Sequence, residues 1–181
     1  MFHPPIDRVI YSYKCDQDVF KEFDNDVEFV RGDNYTLNGN ERSLLILDDQ
    51  MQDRTLNISE LFCVTSHHYN CSIMYVSHNL FHDDPKYRTA ASNADYMILF
   101  KSPRGQGQIA TLARQLYGCD KRRQTVLRTA YDDAVLRKPF GHLVVDMTPN
   151  CPECLRLRTD SLPHQGVPFM GYQMVKCYNC A

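Results

Sequence analysis

Two adjacent aspartates, Asp48 and Asp49, follow the apolar run Leu44–Leu47 in the stretch SLLILDDQM (43–51). A magnesium ion bound to a triphosphate needs a fixed, hydrated carboxylate beside it, and a strand end can supply one. Asp48 fits that role. Asp49 then stands where it can orient or deprotonate an attacking water. Asp also closes strands simply because it favours turns, and that reading covers the pair equally well when it is taken alone. The neighbouring apolar run, CSIMYVSHN (71–79), closes on Ser77, His78 and Asn79. Such a polar trio can sense a γ-phosphate or hold the water, and a purely structural strand end needs none of it.

A nucleotide site built this way normally has a partner loop, GxxxxGK[ST], whose backbone N–H groups and lysine cradle the phosphates. The 181 residues contain no such loop. RGQG (104–107) is the nearest glycine-rich stretch. Without a following Lys-Ser or Lys-Thr it reads as an ordinary helix start.

Two CxxC pairs form a second constellation: Cys151 with Cys154, and Cys177 with Cys180, separated by 22 residues. Two such pairs can enclose one tetrahedral Zn²⁺, each biting from a tight turn, although the usual separation is about 15–20 residues. Free thiols are the alternative. Cys15, Cys63, Cys71 and Cys119 read as core or surface thiols. His67 and His68 are adjacent on a predicted helix and point in different directions, so they do not read as a metal pair. The segment His78–Asp84 is rejected as a metal site as well, with His82 and the acids expected in solvent. Lys121, Arg122, Arg123 and Arg128 could touch a DNA backbone, although a solvated helix start explains them more simply.

Several elements must position these groups. DRVIYSY (7–13) and VEFV (27–30) read as strands, with charged, helix-compatible residues 14–26 between them. SLLILDD is a continuous apolar run of the kind buried on both faces of a parallel sheet. Asn57 with Glu60 has capping-box spacing ahead of ISELFCVTSHH. ADYMILF (94–100) is a further buried-type strand, FGHLVVDM (140–147) is a late strand, and LRLRTDSL (155–162) alternates like a half-exposed one. Between 106 and 138, Ile109, Leu112, Ala113, Leu116 and Tyr117, then Val126, Leu127, Ala130, Tyr131 and Ala134, mark the apolar faces of two helices. Gly118 stops the first and Pro139 the second. Strands alternating with helices predict an α/β fold with a mostly parallel sheet, its polar residues at the carboxyl ends of the strands.

Apolar residues at 43% and charged residues at 23% are those of an ordinary globular protein. The formal net charge of −2 gives no global pull toward nucleic acid. No apolar run approaches the ~18 residues of a membrane span, and MFHPPIDR is too polar for a signal peptide. The expected location is intracellular, in a nucleus or cytoplasm, and not secreted. There the cysteines are thiols or metal ligands before they are disulfides.

Taken in order, FHPPIDRVIYSY, LLILDDQM, ISELFCVTSHHYN, CSIMYVSHNLFH, RTAASNADYMILFKSPR, QIATLARQLY, YDDA and LRLRTDSLP resemble the viral DNA-packaging ATPases of the FtsK–HerA superfamily. The version carried by Maverick/Polinton-type virus-like transposons is the most similar. The resemblance covers residues 2–163 and implies a P-loop NTPase-like fold. It divides the chain into a partial ATPase core, 1–163, and a C-terminal extension, 164–181; the CxxC spacing, which the family does not require, would let the extension complete a four-cysteine zinc knuckle with 151–154.

The same resemblance implies Mg-ATP as cofactor, double-stranded DNA and capsid or portal components as partners, and a homo-oligomeric ring. Asp48 would hold Mg²⁺ through water, Asp49 would activate the attacking water and Asn79 would be the sensor, with Ser77 and His78 beside the nucleotide. His78 stands where the family usually carries Gln. Arg88, and after it Arg104, would complete a neighbouring subunit's site. The family's phosphate-binding strand, loop and helix come immediately before the FHPP segment, so the resemblance predicts a chain without them, with little ATP affinity of its own. The missing strand would lie between CSIMYVSHN and ADYMILF, leaving two apolar strand edges. The alternative expectation is a non-catalytic, zinc-stabilised module that binds DNA or protein.

Overall fold

The computed structural model describes residues 5–23, 26–48, 50, 56–160 and 170–172. The chain divides into two compact units, Met1–Asn93 and Ala94–Ala181.

The first unit is built on four parallel strands: β1 (Arg8–Tyr13), β2 (Val27–Arg31), β3 (Ser43–Asp48) and β4 (Cys71–Val76), in the order β2-β1-β3-β4. Period-two alternation sorts their side chains onto two faces. One face carries Ile10, Leu45 and Leu47, all fully buried, together with Cys71. Leu56, Ile58 and Ala90 pack with these four into one core, flanked by Leu61, Phe62, Ile73, Tyr75 and Tyr87. The helical segments over that face are α1 (Ile58–Glu60), a π-turn (Leu61–Thr65), α2 (Ser66–His68) and α3 (Pro85–Ser92). The opposite face is aromatic at the β1–β2 side. Tyr11, Tyr13 and Phe29 meet Phe20 from a 3₁₀ turn (Asp18–Glu22), and Phe20 stacks on Phe29 at 4.6 Å.

Three expectations change here. Among the described residues of 14–26, the helical structure is that 3₁₀ turn, which sets Phe20 against Tyr11, Tyr13 and Phe29. The Asn57 and Glu60 side chains bond each other at 2.9 Å, and Asn57 makes no side-chain cap. The run 43–48 is fully buried on one face and half-buried on the other, and β4, as an edge strand, leaves Met74 and Val76 exposed.

The second unit has its own sheet of β5 (Tyr96–Phe100), β6 (His142–Asp146), β7 (Leu157–Thr159) and β8 (Met170–Tyr172), in that order and wholly antiparallel. The expected single, mostly parallel sheet is therefore corrected to a parallel sheet and a separate antiparallel one. The cause lies between β5 and β6. A single crossover helix would return the chain for a parallel strand. Here two helices, α4 (Gln106–Tyr117) and α5 (Lys121–Leu136), intervene, so β6 begins at the end where β5 finished. Leu112, Ala113, Leu127, Ala130, Tyr131 and Ala134 are buried as the helical periodicity predicts.

Tyr131 also closes the end of β5. Its hydroxyl accepts from Ser102 N and donates to Phe100 O, both at 3.0 Å. Among the described residues of LRLRTDSL, the strand is β7, since Leu155 ends the 3₁₀ turn Glu153–Leu155; residues 161–162 lie outside the described residues. Nothing in the sequence signalled the three-residue β8.

Candidate functional site

Asp48 is the last residue of β3, one of the two inner strands of the parallel sheet, and lies opposite Val76 in register. It sits on the aromatic face, half-buried, and its Oδ2 accepts a 2.7 Å hydrogen bond from the Tyr11 hydroxyl of β1. Burial, and then the Asp48 carboxylate, push the Tyr11 phenol up to about 12. Among the described residues, Tyr11 is the hydrogen-bond partner of this carboxylate. One bound oxygen fixes the group without neutralising it, which suits a Mg²⁺ held through water.

Behind Asp48 lies a buried polar chain. Gln50, 2% exposed, donates from Nε2 to Ser12 Oγ at 3.1 Å. Ser12, 1% exposed, donates to Gly32 O at 2.6 Å. The Tyr87 hydroxyl of α3 donates to Gln50 O at 3.2 Å. Gln50 thus ties the segment after β3 to β1, to the turn after β2 and to α3. Asp49, between these anchored neighbours, lies outside the described residues.

Ser77, His78 and Asn79 are exposed directly beyond β4, one strand from Asp48. Ser77 Oγ donates to Asn79 O at 2.7 Å and accepts from Asn79 N at 3.2 Å, a local turn that fixes the backbone at Asn79. Arg88 is exposed on α3, where Asp84 caps the helix by accepting from Lys86 N at 2.8 Å. That role corrects the expectation of a simply solvated acid for Asp84, whereas Asp83 is exposed as expected. His82 accepts from Asp84 N at 3.1 Å and its ring packs tilted against Tyr87, 4.6 Å between centroids. Arg104 is exposed in the second unit, in the turn before α4.

Within the first unit the structure therefore places Asp48 and Ser77–Asn79 at the carboxyl ends of adjacent strands, where α/β sheets bind ligands. Two open surface clefts lie elsewhere. One of about 230 Å³ is lined by Tyr117, Arg123, Glu153, Cys154 and Tyr172. Another, of about 490 Å³, is lined by Ile6–Val9, Asp26 and Glu28 near the amino ends of β1 and β2.

In the second unit the loop after β6 carries the first CxxC pair. Asp146, 4% exposed, accepts from Thr148 N at 3.0 Å and from Thr148 Oγ1 at 2.6 Å, and is paired with Arg158 at 2.8 Å. Burial opposes ionisation, but the Thr148 bonds, the Cys151 thiol and Arg158 together hold its carboxyl below the usual range. Burial, with Asp146 beside it, pushes the Cys151 thiol up. Arg156 organises the loop by donating to Asp146 O at 2.7 Å, Cys151 O at 3.2 Å and Glu153 Oε1 at 2.8 Å.

Among the described residues, no three His, Cys, Asp or Glu side chains come together to hold a metal. Cys177 and Cys180 lie outside the described residues. No described helix is long and apolar enough to cross a membrane.

No protein-family model, curated protein or solved structure matches this chain. Its chemistry is read from the residues themselves. Sequence reasoning missed Tyr11, Ser12, Gln50 and Tyr87. Tyr11 had a usable signal, since it shares the alternating face of β1 that faces away from Ile10. Gln50 had none, because nothing local distinguishes a buried glutamine from one in an exposed turn.

Proposed function

We propose that this chain is the magnesium- and water-handling part of a P-loop ATPase that drives double-stranded DNA into a capsid. The observation that carries the proposal is the placement of Asp48. It ends an inner parallel strand, has one oxygen fixed by Tyr11, and stands one strand from the Ser77–Asn79 turn. Asp48 holds Mg²⁺ through water, Asp49 activates the attacking water, and Asn79 senses the γ-phosphate with Ser77 and His78 beside it. Arg88, exposed on α3, acts on a neighbouring subunit in a homo-oligomeric ring, with Arg104 as the second choice.

Two further observations support the reading. β4 and β5, expected to flank a further strand, are each terminal in their own sheet. Charge is also unevenly shared. Residues 1–93 carry 8 Lys/Arg against 15 Asp/Glu, whereas residues 94–181 carry 12 against 7. Lys121, Arg122 and Arg128 are exposed on α5, where a DNA backbone can be met. Capsid or portal components are the remaining partners of the proposal.

The 181 residues hold no GxxxxGK[ST] loop, and little Mg-ATP affinity is therefore expected from these residues alone. Titration with Mg-ATP, followed by amide NMR shifts, tests this. Shifts at Asp48 and Ser77–Asn79 that vanish in Asp48→Ala support the proposal. Saturating Mg-ATP without a shift at these residues rejects it.

A further inference from the structure

We propose that two copies of this chain pair through the outer edge of β5, in antiparallel register centred on Ile98, joining their two four-stranded antiparallel sheets into one. β5 is terminal in its sheet, and among the described residues no strand pairs with its outer edge. The inner pairing decides which backbone groups that edge presents. Met147 N donates to Asp95 O at 2.7 Å, so Asp95, Met97 and Leu99 turn their backbone groups toward β6. Tyr96, Ile98 and Phe100 turn theirs outward. The Tyr131 hydroxyl, which donates to Phe100 O at 3.0 Å, closes one end of this edge.

The side chains leave the edge apolar. Tyr96 is 54% exposed, Ile98 44% and Phe100 54%, all on one face of the strand, while Leu99 is buried on the other. Tyr96–Phe100 holds no charge, proline or glycine, the residues that keep edge strands from pairing. Other edges differ. β2 carries Glu28 and Arg31, and β8 is only three residues long.

A second copy fits this edge because the segment DYMILFK (95–101) matches itself when reversed. Antiparallel pairing about Ile98 sets Tyr96 opposite the partner's Phe100, Met97 opposite the partner's Leu99, and Ile98 opposite the partner's Ile98. Aromatic meets aromatic on one face and aliphatic meets aliphatic on both. At each end the exposed Asp95 stands opposite the exposed Lys101 of the partner subunit, acid against base. The same register makes Ile98 with the partner's Ile98, and Tyr96 with the partner's Phe100, hydrogen-bonded pairs, so the outward N–H and C=O groups find partners. β4, flanked by the uncharged Asn70 and Ser77, offers no such match. The two-fold contact uses the same edge on both copies and therefore closes at a dimer.

The dimer is read from the second unit alone and is separate from the Arg88 contact of the proposed ring. Sedimentation equilibrium of the reduced full chain over a concentration series tests it. The expected result is a monomer–dimer equilibrium. Ile98→Lys and Ile98→Glu each set like charges directly opposite one another and should raise the dissociation constant about tenfold or more. An equimolar mixture of the two variants should recover the dimer. Circular dichroism checks that both stay folded. Should they not fold, Asp95→Lys takes their place: it should weaken the dimer about threefold or more, and Asp95→Lys combined with Lys101→Asp should restore it. An unaltered chain that stays monomeric at about 100 μM leaves the edge to a strand of another protein and overturns the proposal. A dimer that survives the Ile98 variants unchanged overturns it as well, and one lost in Arg88→Ala instead belongs to the ring contact.

Discussion

The Tyr11 hydroxyl reaches from β1 to its neighbour β3 and donates a 2.7 Å hydrogen bond to Oδ2 of Asp48. Burial first, and then this bond and the Asp48 charge, hold the proton on the Tyr11 phenol. The Tyr11 phenol is raised to about 12 in the folded chain, so its contribution to stability is fully present below the unfolded value of 10.0 and is lost as pH rises through 12. In Asp48→Asn the charge is gone, and Tyr11 should titrate closer to 10.0. ¹³C NMR of the tyrosine ring carbons reads this directly. Tyr11→Phe should cost about 0.5–1.5 kcal/mol, the worth of one partly buried hydrogen bond.

Gln50 is a stronger test of how Asp48 is held. Gln50→Leu keeps the volume but leaves the buried Ser12 hydroxyl without its donor, and should cost about 1–3 kcal/mol. The loss should fall on the first unit. Hydrogen exchange should accelerate at β1 and β3, while β6 keeps its protection.

Gly141 precedes β6 at a point with no room for a side chain. A Cβ there would press on the Ala134 carbonyl oxygen and lie 3.0 Å from Lys138 O. One contact is with the last turn of α5 and the other with the turn that follows it, so the strand or this backbone must shift. Gly141→Ala should destabilise by about 1–3 kcal/mol. In a chain of this length each kcal/mol lowers Tm by ~2–4 °C, which calorimetry can follow.

Asp146 sets the acid limit of the second unit. Its folded pKa lies below the ordinary 3.8, so its stabilisation is complete above that value and is lost as pH falls through the folded one. Asp146→Asn should therefore flatten the acid limb of the stability profile. Near neutral pH the same substitution leaves the largely buried Arg158 unpaired and should cost about 2–3 kcal/mol. Denaturant melts at a series of pH values check both effects.

Much of the fold was legible in local patterns. The β3 run SLLILD, the fully buried β6, the apolar faces of α4 and α5 and the stop at Gly118 all follow from periodicity and backbone preference. What escaped depends on long-range partners. Whether 71–76 is an inner or an edge strand is decided by what lies beside it, and its apolar content is the same either way. The antiparallel sheet was encoded in two consecutive helices, a signal that strand-by-strand reading passes over. At the site, Asp48 stood out because a charged residue after four apolar ones is conspicuous. Tyr11, 37 positions away, becomes its partner only through register. β8 is three residues long and pairs through its backbone, so its side chains carry no mark of it.

The central claim is that the carboxyl ends of β3 and β4 handle a metal–nucleotide complex. Paramagnetic broadening by Mn²⁺-ATP tests it most directly, since Mn²⁺ replaces Mg²⁺ and relaxes nearby amides even in weak complexes. The account predicts selective broadening at Asp48 and Ser77–Asn79 that is abolished by Asp48→Ala and competed by Mg²⁺. Broadening confined to other parts of the chain, or unchanged in Asp48→Ala, would contradict it.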